Sequence, residues 1–335
     1  MRFQDTMSYL IRLLKIKFFN NGFPFVVRWD ITARCPMQCR YCDIWKLKIK
    51  ELNTATILRI IDEMAQEGVK KISFSGGEPL LREDICEIVH YTKAKGISAE
   101  INSTGYSFAD KAERLKSLDL IKLSLDGPKE IHDVVRGREG AYDSVIDAAL
   151  AAKKQRIPFR FCVTLSGYNI QYVGFLLQLA RDCEAKIVFQ PLKDIRYLKH
   201  CSFIFKTEEQ LFPAPEQFQK AIHMLLKCCK EERRLISNSP QTLRHIYYWP
   251  KYAKLKCWAG KIFCMISPSG EISPCDRLFY DVQLPNCAQT SFRQAVTMMP
   301  RLPFCEGCGF WGSLVLNYAA NFKADLELLR KAAQC

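Results

Sequence analysis

No stretch of the chain approaches the roughly 18 to 20 uninterrupted apolar residues that a membrane-crossing helix needs, so no such helix is expected. The N-terminus lacks an apolar core followed by a small-residue cleavage site, which argues against secretion. Internal repeats and low-complexity tracts are also missing. Histidine is scarce, with five in 335 residues, and the nearest one to the first cysteine cluster is His90. These absences leave a globular protein expected in the cytoplasm, where cysteines serve metal ligation or redox work rather than disulfides.

Cysteine is abundant: sixteen residues, in a chain whose 48% hydrophobic and 25% charged content is otherwise ordinary. Cys86, Cys162, Cys183, Cys228 and Cys229 lie in apolar stretches, where the thiol behaves as a small hydrophobe, and these are read as packing. The net charge of +14 admits an acidic protein partner, an anionic lipid surface or a nucleic acid. The lysines and arginines are scattered, however, and the cluster "KEERR" (230 to 234) reads as a solvated helix face. No nucleic-acid partner is expected from this distribution.

From Val26 onward, short apolar runs alternate with helical spacing. The runs are "VVRWDI" (26 to 31), "KISF" (71 to 74), "SAEIN" (98 to 102), "LIKLSL" (120 to 125), "PFRFCVTL" (158 to 165) and "AKIVFQ" (185 to 190). Helices are predicted over 54–66, 83–95, 108–117, 142–154 and 170–182, the first stopped by Gly68 and the second by Gly96. Six strand–helix units in parallel order predict an α/β fold, a partial (β/α)6 TIM-like barrel, although an open doubly wound sheet fits six units as well. The strands look apolar enough for burial on both faces. Gly-rich polar clusters follow strands one to four, the rim where such barrels place their chemistry. After about residue 200 the rhythm stops. A helix is read over 215–234 with Phe218, Ile222 and Leu225 inward, and from Cys257 the composition turns to Cys, Gly, Pro and aromatics. The expected organisation is an N-terminal amphipathic segment (1–23), a barrel (24–235), a small C-terminal cysteine-bearing domain (236–320) and a terminal helix (321–335).

The sharpest motif is "CPMQCRYC", where C-x3-C-x2-C places Cys35, Cys39 and Cys42 on one loop after the first strand. A structural zinc wants four ligands, and no fourth cysteine or histidine is near. A [4Fe–4S] cubane takes one thiolate per iron, so three thiolates leave one iron open to a ligand. The context is "GGEP" after the second strand, "NSTG" after the third and "SLDG" after the fourth.

With these motifs in this order, residues 24 to 192 resemble the radical S-adenosylmethionine (SAM) superfamily. The resemblance implies that the cluster's open iron chelates SAM and that its reductive cleavage yields a 5′-deoxyadenosyl radical, which abstracts hydrogen from substrate. It implies that Gly76, Gly77, Glu78 and Pro79 contact the methionine amino group, with the glycines allowing close backbone approach. Asn102 and Ser103 match positions near the methionine and ribose. Ser124 and Arg136 match a pair that holds the SAM carboxylate, for which a guanidinium suits. Tyr41 matches an aromatic near adenine, and Asp126 is expected to support its turn.

"CWAGKIFCMISPSGEISPC" (257 to 275) followed by "CEGC" (305 to 308) resembles the auxiliary-cluster domain of the SPASM and twitch subfamilies. The chain has no cysteine between Cys308 and Cys335, which favours the twitch type with one further [4Fe–4S] cluster on Cys257, Cys275, Cys305 and Cys308. A zinc ribbon on the same four cysteines is the alternative. Cys264, Cys287 and Cys335 are left over, open as substituted ligands or hydrogen-atom donors. The expected cofactors are therefore SAM and two [4Fe–4S] clusters.

A substrate oxidation that sends its electron to the auxiliary cluster needs a base, and Asp194, Tyr197 and His200 stand after the sixth strand. The leading expectation is an oxidoreductase of dehydrogenase type acting on a small molecule. A lipid-modifying radical enzyme is the second, because Met7, Ile11, Leu14 and Phe18 share a helical face beside Arg12, Lys15 and Lys17. That arrangement would add contact with the inner membrane face. A peptide maturase is the third, set lower because about 24 residues ahead of the barrel are too few for a leader-binding domain. A non-catalytic iron–sulfur electron carrier accounts for the cysteines but not for "GGEP" or "SLDG". The basic surface suits an acidic flavodoxin or ferredoxin-type reductant.

Overall fold

The computed structural model describes Ile16 and residues 22–193, 209–275, 283–300 and 308–321. Six parallel strands form its spine: β1 (Val26–Thr32), β2 (Lys71–Gly76), β3 (Ser98–Ser103), β4 (Leu120–Ser124), β5 (Phe159–Leu165) and β6 (Lys186–Pro191). Helices return the chain between them: α1 (Thr54–Gln66), α2 (Ile85–Ala94), the short α3 (Phe108–Lys111), α4 (Lys129–Arg136), α5 (Ala141–Lys154) and α6 (Val173–Asp182). Helix α1 shows why the pattern works. The Asn53 side chain accepts from the Thr56 amide, and Ile57, Ile60, Ile61 and Met64 lie buried on one stripe.

The order of these six strands is β6-β5-β4-β3-β2-β1, with all neighbours parallel, as a partial TIM-like barrel requires. The two faces of this sheet differ. Val27, Trp29, Phe74, Ile101, Leu123, Phe161 and Phe189 pack outward into the helical layer, all essentially buried. The alternate residues carry Ser73, Glu100, Asn102, Lys122, Arg160 and Cys162, joined by hydrogen bonds from Asn102 and Lys122 to Ser73. The expectation of apolar burial on both faces therefore holds for one face only. The inner face is polar, and its buried carboxylate is matched there: Glu100 accepts from Lys71 at 2.8 Å and Lys122 at 2.6 Å. Cys162 belongs to this face, not to packing, whereas Cys86, Cys183, Cys228 and Cys229 join the hydrophobic core.

Beyond β6 come α7 (Pro215–Glu231), α8 (Pro240–Ile246), β7 (Phe263–Ile266), β8 (Ile272–Ser273), α9 (Phe292–Met298) and α10 (Trp311–Ala320). Phe218, Ile222 and Leu225 of α7 are buried, as its spacing predicts. The cysteine-rich region extends the barrel's own sheet. Strand β7 pairs parallel to β1 from Val26↔Phe263 to Trp29↔Ile266, and β8 turns back antiparallel. This pairing covers the backbone row that β1 would otherwise expose as an edge. Cys264 and Cys287 are fully buried in the main core, so both behave as small hydrophobes. Ile16 packs with Phe25, Trp258, Ile262 and Val315 in a second cluster; most of the predicted N-terminal segment and of the terminal helix lies outside the described residues. Among the described residues, no helix is long and apolar enough to cross a membrane.

Candidate functional site

The loop after β1 carries Cys35, Cys39 and Cys42, and main-chain bonds hold it from two sides. From the β2 side, Gly77 donates to the Thr32 carbonyl and Glu78 to that of Arg34, both at 2.8 Å. From the end of α4, the carbonyls of Arg136 and Val135 accept from Gln38 (3.0 Å) and Arg40 (2.8 Å). Glycine makes these approaches sterically feasible. A Cβ at Gly77 would lie 2.1 Å from the Arg34 carbonyl oxygen, and one at Gly137 would lie 2.3 Å from that of Gln38. Gly76 adds a left-handed φ of 112°. A further anchor is Arg82, buried, which donates to the Ile31 and Leu52 carbonyls and to Asp84.

Glu78 is fully buried, and its carboxylate is fully engaged. Leu80 N (3.1 Å) and Ser103 Oγ (3.0 Å) donate to one oxygen, Thr104 N (2.7 Å) and Thr104 Oγ1 (2.6 Å) to the other. Burial pushes its pKa up while these four donors pull it back. Pro79 opens the buried turn that follows. Asn102 donates to Ser73 and to the Phe74 carbonyl. Ser124 ends β4, half-buried and in register with Cys162.

Asp126 ties the aromatic and the arginine together. It accepts from Tyr41 Oη at 2.9 Å, from Arg136 Nη2 at 2.8 Å and from the Thr164 amide at 3.0 Å. His132 Nδ1 accepts from the Asp126 amide, which fixes the turn. The Arg136 guanidinium lies 5.7 Å from the Tyr41 ring centroid and 3.9 Å from Cys39 Sγ. Burial raises all three thiols, Cys35 to about 12 and Cys42 to about 11, with Arg136 opposing the rise at Cys39.

Among the described residues, no three His, Cys, Asp or Glu side chains converge closely enough to share one metal ion. A cubane takes one thiolate per iron, so its ligands stand apart by the width of the cluster. Three thiols spread along one braced loop fit three corners of such a group. In the second region, Cys257, Cys275 and Cys308 are half-buried, and Cys257 Sγ accepts from Asn317 Nδ2 at 3.5 Å. Cys305, Cys335, Asp194, Tyr197 and His200 lie outside the described residues.

The sequence reading missed Thr104, Glu100, Lys122 and Arg160. A period of two marked the last three: the charged residues occupy alternate positions within otherwise apolar strands.

Residues 29–180 match the family model described as the Radical SAM superfamily. The chain is 25% identical over 297 residues to the AdoMet-dependent heme synthase of Methanosarcina barkeri, covering 81% of each protein. It is 25% identical over 293 residues to the PqqA peptide cyclase of Gluconobacter oxydans, covering 85% of this chain and 79% of the other. Among solved structures, Streptococcus suis SuiB bound to the precursor peptide SuiA superposes with a TM-score of 0.65 at 14% identity, over 86% of this chain and 68% of that one. That last likeness is one of fold. The match to the family model spans the barrel segment from β1 to α6.

Proposed function

We propose that this chain is a radical SAM enzyme whose substrate is a peptide. The observation that carries the enzyme reading is the three-thiol loop braced between the "GGEP" turn and the end of α4, at the C-terminal rim of a parallel sheet. Cys35, Cys39 and Cys42 would hold the cluster. When bound, that cluster supplies the electron that splits SAM into methionine and a 5′-deoxyadenosyl radical able to take hydrogen from substrate.

The protein's own part is positioning. Arg136, held by Asp126, offers a preset guanidinium for the SAM carboxylate, and Ser124 at the end of β4 is assigned to the same group. Tyr41, fixed through its hydroxyl on Asp126, presents a ring for adenine. Glu78, its carboxylate already filled by Leu80, Ser103 and Thr104, acts by shaping the turn, so Gly76, Gly77 and Pro79 meet the methionine amino group through backbone. Asn102 and Ser103, at the end of β3, are assigned to the methionine and ribose groups. In the C-terminal region, Cys257, Cys275, Cys305 and Cys308 are assigned to one auxiliary cluster.

The peptide reading rests on the PqqA peptide cyclase, matched over most of both chains. It is set ahead of the small-molecule dehydrogenase expected from the single-auxiliary-cluster pattern. A second reading, chemistry on a small molecule, draws on the heme synthase of equal identity. Anaerobically reconstituted protein with dithionite and SAM should yield 5′-deoxyadenosine, and Cys39→Ser should abolish it. No product from a protein with intact clusters overturns the enzyme reading. Co-expression with peptides encoded beside its gene should change a peptide's mass in a Cys39-dependent way; turnover without any peptide change favours the second reading. Two cubanes predict about eight irons per chain, halved by the double variant Cys257→Ala/Cys275→Ala.

A further inference from the structure

Among the described residues, the inner face of the barrel sheet carries one buried cation that no carboxylate neutralises. Arg160, the second residue of β5, is 8% exposed. It shares a register row with Asn102, Lys122 and Lys186, next to the row of Ser124, Cys162 and Val188. Lys122 is satisfied by Glu100 and Ser73, and Glu100 is in turn fully used by Lys122 and Lys71. Among the described residues, Arg160 has no ion pair and no side-chain hydrogen bond, and its Nε is enclosed without an acceptor. Its guanidinium carbon lies 5.2 Å from the centroid of the Trp311 ring. Trp311 opens α10, and its Nε1–H is also buried without an acceptor.

A guanidinium stays protonated in protein interiors. A ring face eases the charge but accepts none of the in-plane N–H groups, and an unanswered buried charge is strongly destabilising. Two neighbouring buried donors, one of them permanently charged, lack the same thing: an anionic oxygen. SAM does not meet that need. Arg136 is positioned for its carboxylate, and Arg160 lies two residues down its strand from Cys162, about 7 Å below the level of Ser124 at ordinary strand rise.

We propose that Arg160, backed by Trp311, binds a carboxylate of the substrate, so that the substrate is an acidic molecule anchored on the inner face of the barrel sheet with its reacting carbon toward the rim. This deepens the enzyme reading given above and rests on it for the word substrate. The planar fork of Arg160 suits bidentate capture of a carboxylate, and the indole N–H can supply a third donor.

The test uses reconstituted, SAM-loaded protein and two probes of equal size, succinate and its neutral diamide, followed by calorimetric titration. The proposal expects succinate to bind at least tenfold more tightly than the diamide, and Arg160→Gln to remove that advantage while SAM affinity changes less than twofold. It also expects substrate-free Arg160→Gln to melt about 2 °C higher, because a buried unpaired charge has gone; a purely structural cation gives a lower melting point. Equal binding of the two probes, succinate affinity unaltered in the variant, parallel losses of SAM and succinate affinity, or a lower melting point each overturns it. Formation of 5′-deoxyadenosine by the unaltered protein is read separately. Its failure removes the enzyme reading while leaving carboxylate binding standing, and the converse result removes only this inference.

Discussion

Burial alone would push the Glu100 carboxyl up, yet the charges of Lys122 and Lys71 outweigh it and hold it at about 2, against an ordinary 4.5. A depressed carboxyl contributes stability that is complete above the ordinary range and drains away as pH falls from about 4.5 toward 2. The gap corresponds to about 3 kcal/mol. Glu100→Gln should therefore destabilise the protein by about 3 kcal/mol at pH 7, and the two unfolding curves in urea should converge near pH 2. A constant difference across that window would remove Glu100 from this role. Glu78 carries the opposite sign: burial raises it, so its ionisation opposes folding as pH climbs above the ordinary carboxyl range. At this scale the cysteine triplet was legible because the chemistry lies in residue type and spacing. The commitment of Glu78 to Ser103 and Thr104 was not, since those partners arrive from another strand and sequence carries no distances.

Elements with a long apolar stripe were readable from spacing; short or mixed ones were not. Helix α1 has the bounds its periodicity predicts, while the predicted helix over 108–117 is α3 followed by a tighter turn, Ala112–Leu115. Helix α4 was missed because its buried face is His132, Val135 and Arg136, which no hydrophobic pattern reports. Strand β7 was missed because four residues inside a Cys- and Gly-rich stretch give too little alternation. The junction of β2 with the cysteine loop gives the prediction at this scale. Gly77→Ala forces a methyl against the Arg34 and Ala33 carbonyls and should cost about 1–3 kcal/mol while lowering iron and sulfide uptake on reconstitution. Gly174→Ala, on the exposed start of α6 with nothing within 4 Å, should instead stabilise by about 0.5 kcal/mol and leave iron uptake unaltered. Equal iron content in the two variants would contradict the bracing role of the glycine.

Across the molecule, one eight-stranded sheet runs from β6 to β8, with β1 interior to it. The parallel order of six strands was legible because each strand is followed by a helix-length segment. The continuation through β7 was not, because pairing between residues some 240 apart leaves no local trace. A chain ended at residue 235 loses β7 and should expose the β1 edge, giving aggregates by size-exclusion chromatography; a soluble monomer would show that β1 tolerates exposure.

The bracing of the cysteine loop also bears on damage and repair. Its four bracing main-chain hydrogen bonds, two donated by the β2 turn and two accepted by carbonyls at the end of α4, involve no thiol. Oxygen that strips the inorganic group away therefore leaves the seat standing. Recovery then calls for fresh iron, sulfide and electrons, with no need for the polypeptide to find its shape again.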